Sequence, residues 1–289
     1  MVPPALLSGR ILAAWSILHV LSIDIAAGAA ASGAMAAAVA GVEMRLGWWI
    51  LLPLSVWVIY TADHLLDGWK AGSAAVNPRH SFHFRHMRIL SMCALCAAIL
   101  CAGLAFFAIR EVVLAGGVIL ICVCALHLAL ARWDKFKLGK EFSVAAIYTA
   151  GVWFGPLLAS RAALFYPYVF LSIFLLAAVL NLVMSSVMDA EMDEKEGMTY
   201  LLRFISPARA GRLVQAGSVI GVLLGALLAA FMFVQSPGKP QLWLAAAVLA
   251  VLCAAPGLIL RFAHLGSPLY RIAGEGVFLL GFVPWLSAR

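Results

Sequence analysis

Four aspartates in two pairs are the residues of this sequence whose types and spacing are best suited to chemistry. Asp63 and Asp67 lie in YTADHLLDGWK, residues 60 to 70, and Asp189 and Asp193 lie in SSVMDAEMDEKEG. Both pairs read D-x-x-x-D, and a separation of four residues places two carboxylates on the same helical face, one turn apart. Without a counter-ion that arrangement is repulsive. Two such pairs brought together offer oxygen ligands to a hard cation. Magnesium fits best, because it takes one or two carboxylates from each side, keeps some waters and fills its shell with substrate phosphates. The expected cofactor is therefore Mg2+, with Asp63, Asp67, Asp189 and Asp193 as both metal ligands and catalytic residues.

Basic residues surround both pairs. Lys70, Arg79, Arg85 and Arg88 follow the first, Lys135, Lys137 and Lys140 come in a later segment, and Lys195 and Arg203 follow the second. A polyphosphate bridged to magnesium needs such donors, and Lys70, Arg79, Arg85, Lys140 and Lys195 are the candidates to bind a diphosphate. The chain around them is rich in Trp, Phe, Leu and Met, so the rest of the substrate should be apolar. A diphosphate head on a hydrocarbon tail, an isoprenoid diphosphate, suits both ends.

The elements that must position these residues are membrane helices. The chain is 65% hydrophobic and 11% charged, with a mean hydropathy of +1.03, which excludes an ordinary soluble domain. Nine runs are long and apolar enough to span a bilayer: 11–36, 47–66, 89–109, 112–131, 142–160, 164–188, 210–234, 241–260 and 270–287. The first is read as a retained span, being too long for a signal peptide. No linker interrupts the rest, so residues 1–289 are read as one all-α domain of nine transmembrane helices.

Placing the N-terminus in the cytoplasm puts fifteen of the 20 Lys and Arg on the inner side and five outside, as positive-inside bias requires. The C-terminus then lies outside, and the expected location is a bacterial inner membrane. The net charge of +7 is accounted for by topology and anionic lipid, with no nucleic-acid partner implied. All six cysteines fall inside apolar runs without zinc-type spacing and read as packing residues.

Seven of the 13 acidic residues sit in the two aspartate segments, each at the cytoplasmic end of a span, the second and the sixth. Helix C-termini disfavour anions, which argues against simple solvated charges there. Glu191, Glu194 and Glu196 are read as loop charge. Asp24 and His19 lie inside the first span, where an ionisable group is paired or functional; Asp24 is a candidate for acceptor positioning or proton acceptance. Tyr60 shares a face with Asp63, and Asn181 and Ser185 share one with Asp189, so Tyr60 and Asn181 join Tyr148 as candidate cavity residues, with Trp153 near them. For NPRHSFHFRH three readings stand: a lid with Arg79 and Arg85 on the diphosphate, a His-rich metal or haem ligand set, and an interfacial segment whose Phe82 and Phe84 dip into lipid.

Nine spans with aspartate motifs ending the second and sixth resemble the UbiA superfamily of intramembrane prenyltransferases over nearly the whole chain. The family's first motif, N-D-x-x-D-x-x-x-D, is matched at Asp63 and Asp67, with Ile59 and Tyr60 in place of the leading Asn and Asp. The second is matched by Asp189, Asp193, Gly197 and Thr199, and KEFSVAAIYTAGVWFGP resembles the fifth span, with Lys140 at its start.

The resemblance implies a UbiA-like bundle and magnesium-dependent transfer of a prenyl group from an isoprenoid diphosphate to a hydrophobic acceptor in the bilayer. Diphosphate would leave at the cytoplasmic face. Contacts from metal and Lys or Arg strengthen as the leaving group gains charge. Three alternatives remain: a UbiA-type membrane terpene cyclase acting without acceptor, a transporter or lipid-binding protein using the carboxylates for cation coupling, and a catalytically retired relative, suggested by Ile59 and Tyr60.

Overall fold

A computed structural model describes residues 15–131, 139–160, 165–197, 201–263 and 269–289. Among these residues there is no strand. The helices are α1 (Ile23–Ala40), α2 (Leu46–Ala71), α3 (Pro78–Arg85), α4 (Met87–Ala108), α5 (Glu111–Ala131), α6 (Lys140–Ala159), α7 (Tyr166–Met188), α8 (Ala190–Lys195), α9 (Pro207–Gln235), α10 (Pro240–Phe262), α11 (Leu269–Gly276) and α12 (Phe282–Ser287). Eight of them are long and apolar enough to cross a membrane: α1, α2, α4, α5, α6, α7, α9 and α10. These correspond to the first eight expected spans. The ninth, 270–287, is built instead from α11, a 3₁₀ turn over Val277–Gly281 and α12 in direct succession.

The first span is also interrupted. Ser22 adopts a left-handed backbone (φ 56°), ending the helical turns of residues 15–20 before α1 begins. This kink folds His19 back over the start of α1, where it meets Asp24.

α1 reads IDIAAGAAASGAMAAAVA and is 83% buried, whereas α4, rich in Leu, Ile and Phe, is 11% buried. Small side chains let neighbouring backbones approach closely, so the alanine helix occupies the bundle interior. The larger apolar residues of α4, such as Ile89, Leu95 and Phe107, are exposed where lipid would lie. The interior is completed by Trp153 of α6, Phe170, Phe174 and Met184 of α7, and Leu249 of α10, each fully buried.

Two glycines bring the functional elements together. A Cβ at Gly68 would stand 2.8 Å from the His80 carbonyl and 3.0 Å from the Phe84 nitrogen, so its absence allows α3 to lie directly on the end of α2. A Cβ at Gly274 would stand 2.7 Å from Asn181 Oδ1, and its absence lets α11 close against α7. α3 itself begins cleanly: Asn77 caps it by accepting from the Arg79 amide at 3.0 Å, with Pro78 in the first turn.

Candidate functional site

A cavity opens among the ends of α2, α6 and α7, with α3 and α11 on its rim, and both aspartate pairs line it. Each of three elements contributes charge at its outer end and less charged surface deeper in, save for Glu275. α6 supplies Lys140, then Val144, Ala145 and Tyr148; α7 supplies Asp189, then Asn181, Leu182 and Ala178; α11 supplies Arg271, then Glu275, with Phe278 beyond. The result is a charged mouth above an apolar floor that includes Ile25 and Gly28 of α1.

At the mouth, Lys140 Nζ lies 3.9 Å from Asp63 Oδ1 and 3.6 Å from Asp67 Oδ2. Asp189 caps the C-terminus of α7; it accepts hydrogen bonds from the Tyr270 hydroxyl and the Arg271 guanidinium. Burial pushes the Asp193 carboxyl up to about 7, with Lys140 acting against it and Glu196, Asp67 and Glu141 adding to it. A carboxylate held that high by desolvation and by its acidic neighbours gains most from a nearby cation. Oxygen donors from two facing helices, around a space that also holds basic side chains, fit a magnesium diphosphate.

The candidates divide by this geometry. Asp63, Asp67, Asp189, Asp193, Arg79, Lys140, Tyr60, Tyr148 and Asn181 all line the cavity. Lys70, Arg85 and Lys195 are exposed and stand outside it. Trp153 is packed in the core against Phe174. Lys135, Lys137 and Thr199 lie outside the described residues. Ile59 is not among the cavity residues, whereas Tyr60 turns its ring into the site.

The NPRHSFHFRH segment is helix α3, and its three histidines do not converge. His80 Nδ1 is 2.5 Å from Glu196 Oε2, His83 donates to the Arg79 carbonyl at 2.9 Å, and His86 donates to the Phe82 carbonyl at 2.9 Å. Burial holds His83 below its ordinary value. Arg79 points inward: Nη1 donates to His64 Nε2 at 3.1 Å and Nη2 to His19 Nε2.

Glu196 corrects the sequence reading. Its carboxylate is 1% exposed, and Oε1 accepts from the Val76 and Asn77 amides at 2.6 and 2.7 Å. It is a tether between the two aspartate segments, not loop charge. Glu141, Arg271 and Glu275 also line the cavity without having been picked out for it. Glu141 Oε1 accepts from the Leu201 amide at 3.1 Å and from Ser186 at 3.3 Å. The available signal for Arg271 and Glu275 was their spacing of four on the last apolar run, which gives one face with two opposite charges. Asp24 lies behind the cavity: its Oδ2 is 2.7 Å from His19 Nδ1 and its Oδ1 accepts from the Ile25 amide at 2.9 Å.

No family model matches the chain, and no curated protein matches it. Among solved structures it is similar to a UbiA homolog from Archaeoglobus fulgidus bound to GPP and Mg2+, with a TM-score of 0.62 and 16% sequence identity. The likeness covers 93% of this chain and 99% of that one. At such low identity it speaks to architecture alone. The protein therefore has the fold of the UbiA superfamily.

Proposed function

We propose that this protein is an integral membrane prenyltransferase that moves a prenyl group from an isoprenoid diphosphate to a hydrophobic acceptor in the bilayer. The observation that carries the proposal is the convergence of Asp63, Asp67, Asp189 and Asp193 on one cavity with a charged mouth and an apolar floor. The UbiA homolog of the same fold binds GPP and Mg2+, ligands of the class this cavity suits.

In this reading the four aspartates hold magnesium, which when bound supplies positive charge to the departing diphosphate. Lys140, Arg79 and Arg271 surround the same space and donate to diphosphate oxygens as negative charge develops on them. Lys70, Arg85 and Lys195 are left the lesser role of a basic field around the mouth. The prenyl tail follows the apolar wall inward. Tyr60, Tyr148 and Phe278 present ring faces that stabilise an allylic cation while excluding water.

With the mouth on the side that positive-inside bias assigns to the cytoplasm, diphosphate leaves there and the acceptor enters from the bilayer of a bacterial inner membrane. The packed rings of Tyr148, Phe174 and Phe278, with centroids 5.8 to 6.1 Å apart, also favour a second reading, cyclisation of the prenyl chain with no acceptor.

The test is diphosphate release from geranyl diphosphate by the purified protein in liposomes, with and without magnesium and a membrane lipid extract, beside Asp189→Ala. Release that requires magnesium, extract and Asp189 supports transfer; release without extract supports cyclisation or hydrolysis. No release from folded protein under any condition overturns the proposal.

A further inference from the structure

Glu275 is, with Glu141, one of two cavity carboxylates outside the aspartate pairs, and the one that stands away from the charged mouth. It stands one turn inward from Arg271 on α11, between the mouth and the apolar floor. Its Oε1 lies 3.9 Å from Arg79 Nη2, and its Oε2 lies 3.1 Å from His19 Nδ1. Because His19 Nε2 accepts from Arg79, the ring hydrogen is on Nδ1, and that hydrogen goes to Asp24 at 2.7 Å. Glu275 Oε2 is thereby left as a buried oxygen with no hydrogen-bond partner among the described residues. Asn181 Oδ1, on the facing wall of the same cavity, is a second buried acceptor without one.

Unmatched buried acceptors are costly; Glu141 Oε2 is a third in this cavity, on α6, but Glu275 and Asn181 stand together where α11 closes against α7, and this pair marks a place where an incoming molecule supplies hydrogens. The reaction proposed above, on which this inference rests, has such a molecule. As the prenyl C–O bond breaks, its electron pair goes to the diphosphate. The acceptor's electron pair then forms the new bond to the prenyl carbon, and the acceptor is left with one proton to lose.

We propose that Glu275 takes that proton, from an acceptor whose O–H or N–H donates to Glu275 Oε2 while a second hydrogen of the same molecule is donated to Asn181 Oδ1. The proton then passes from the carboxyl to water. Asp63, Asp67, Asp189 and Asp193 serve the diphosphate end, so Glu275 is the base on the acceptor side. His19 and Asp24 are positioning residues: Asp24 fixes the tautomer and direction of His19, and His19 with Arg79 holds the carboxylate in place. His19, Asp24 and Glu275 offer ligand atoms within 4.8 Å of one another, a spacing that also suits a metal ion. Here, however, Arg79 bonds the outer nitrogen of His19 and faces Glu275, and so already provides the positive charge.

The test compares wild type, Glu275→Gln and Glu275→Asp in liposomes with magnesium, geranyl diphosphate and a membrane lipid extract. Calorimetry without extract gives the affinity for geranyl diphosphate, and mass spectrometry with extract gives the rate of prenylated product. A lost general base predicts unchanged affinity in Glu275→Gln with turnover lower by about 100-fold or more, and substantial recovery in Glu275→Asp. Wild-type turnover in Glu275→Gln overturns this inference alone. Parallel loss of affinity and turnover in both variants also overturns it, since that is the signature of a structural role. A wild-type protein that binds geranyl diphosphate and yields no prenylated product overturns the proposed transfer, and this inference with it.

Discussion

Glu196 and His80 are held together, Oε2 to Nδ1 at 2.5 Å, although they lie 116 residues apart in the chain. The same carboxylate accepts the Val76 and Asn77 amides through its other oxygen. His80 in turn lies 4.0 Å from Asp67. One buried side chain from the second acidic segment thus fixes the loop that follows the first, and with it the spacing of the two aspartate pairs.

Glu196→Ala should therefore act on both stability and substrate binding. It strands the amide of buried Asn77 and the buried His80 imidazole, each costing about 1–3 kcal/mol, while the exposed Val76 amide turns to water. The expected outcome is a lower unfolding temperature in detergent together with a raised KM for geranyl diphosphate. A variant that melts and binds like wild type would contradict the tether.

Removing either member of the first pair should abolish the magnesium requirement together with the activity. Asp63→Asn and Asp67→Asn keep shape but lose charge, and each is expected to lower diphosphate release by about 100-fold or more, the scale on which charge stabilisation acts in a shielded site. Chelating magnesium from wild type should do the same, with recovery on adding it back. Release rates with titrated magnesium check both.

Gly68→Ala should displace α3. Its new Cβ would meet backbone atoms at 2.8 and 3.0 Å, which cannot turn aside as a side chain can. Overpacking of this kind costs about 1–3 kcal/mol. Because α3 carries Arg79 and His80, the loss should appear in geranyl diphosphate affinity as well as in the unfolding temperature.

Arg79→Lys preserves charge but not the planar fork that reaches His64 and His19 at once. In the proposed site the fork also supplies the diphosphate's donors, and with one charge-assisted bond to the diphosphate lost, affinity for geranyl diphosphate should fall about tenfold. Calorimetric titration of the two proteins measures this directly.

Much of this architecture was legible in the sequence because the bilayer imposes a length on each span and a side on each basic loop. The placing of Asp63 and Asp67 was legible because a helix converts a spacing of four into a shared face, whereas Asp189 and Asp193 line the same cavity from either side of the junction between α7 and α8. Glu196, Glu275 and Arg271 were harder to find, since their roles depend on which distant helix arrives beside them. Glu196 is a loop charge until α3 is placed on α2 through Gly68, and Glu275 is one more residue of an apolar run until α11 meets α7 through Gly274. The break at Ser22 was hidden for a related reason: the run 11–36 is continuously apolar, and hydropathy does not report the backbone turn that folds His19 onto Asp24.

The central claim, that the two aspartate pairs serve prenyl transfer, is tested most directly by the mass of the product formed from geranyl diphosphate in liposomes containing the protein, magnesium and a membrane lipid extract. The predicted result is a lipid-extract component that gains one geranyl group, formed by wild type and not by Asp67→Asn or without magnesium. Folded wild-type protein that leaves both geranyl diphosphate and the extract unchanged would contradict it.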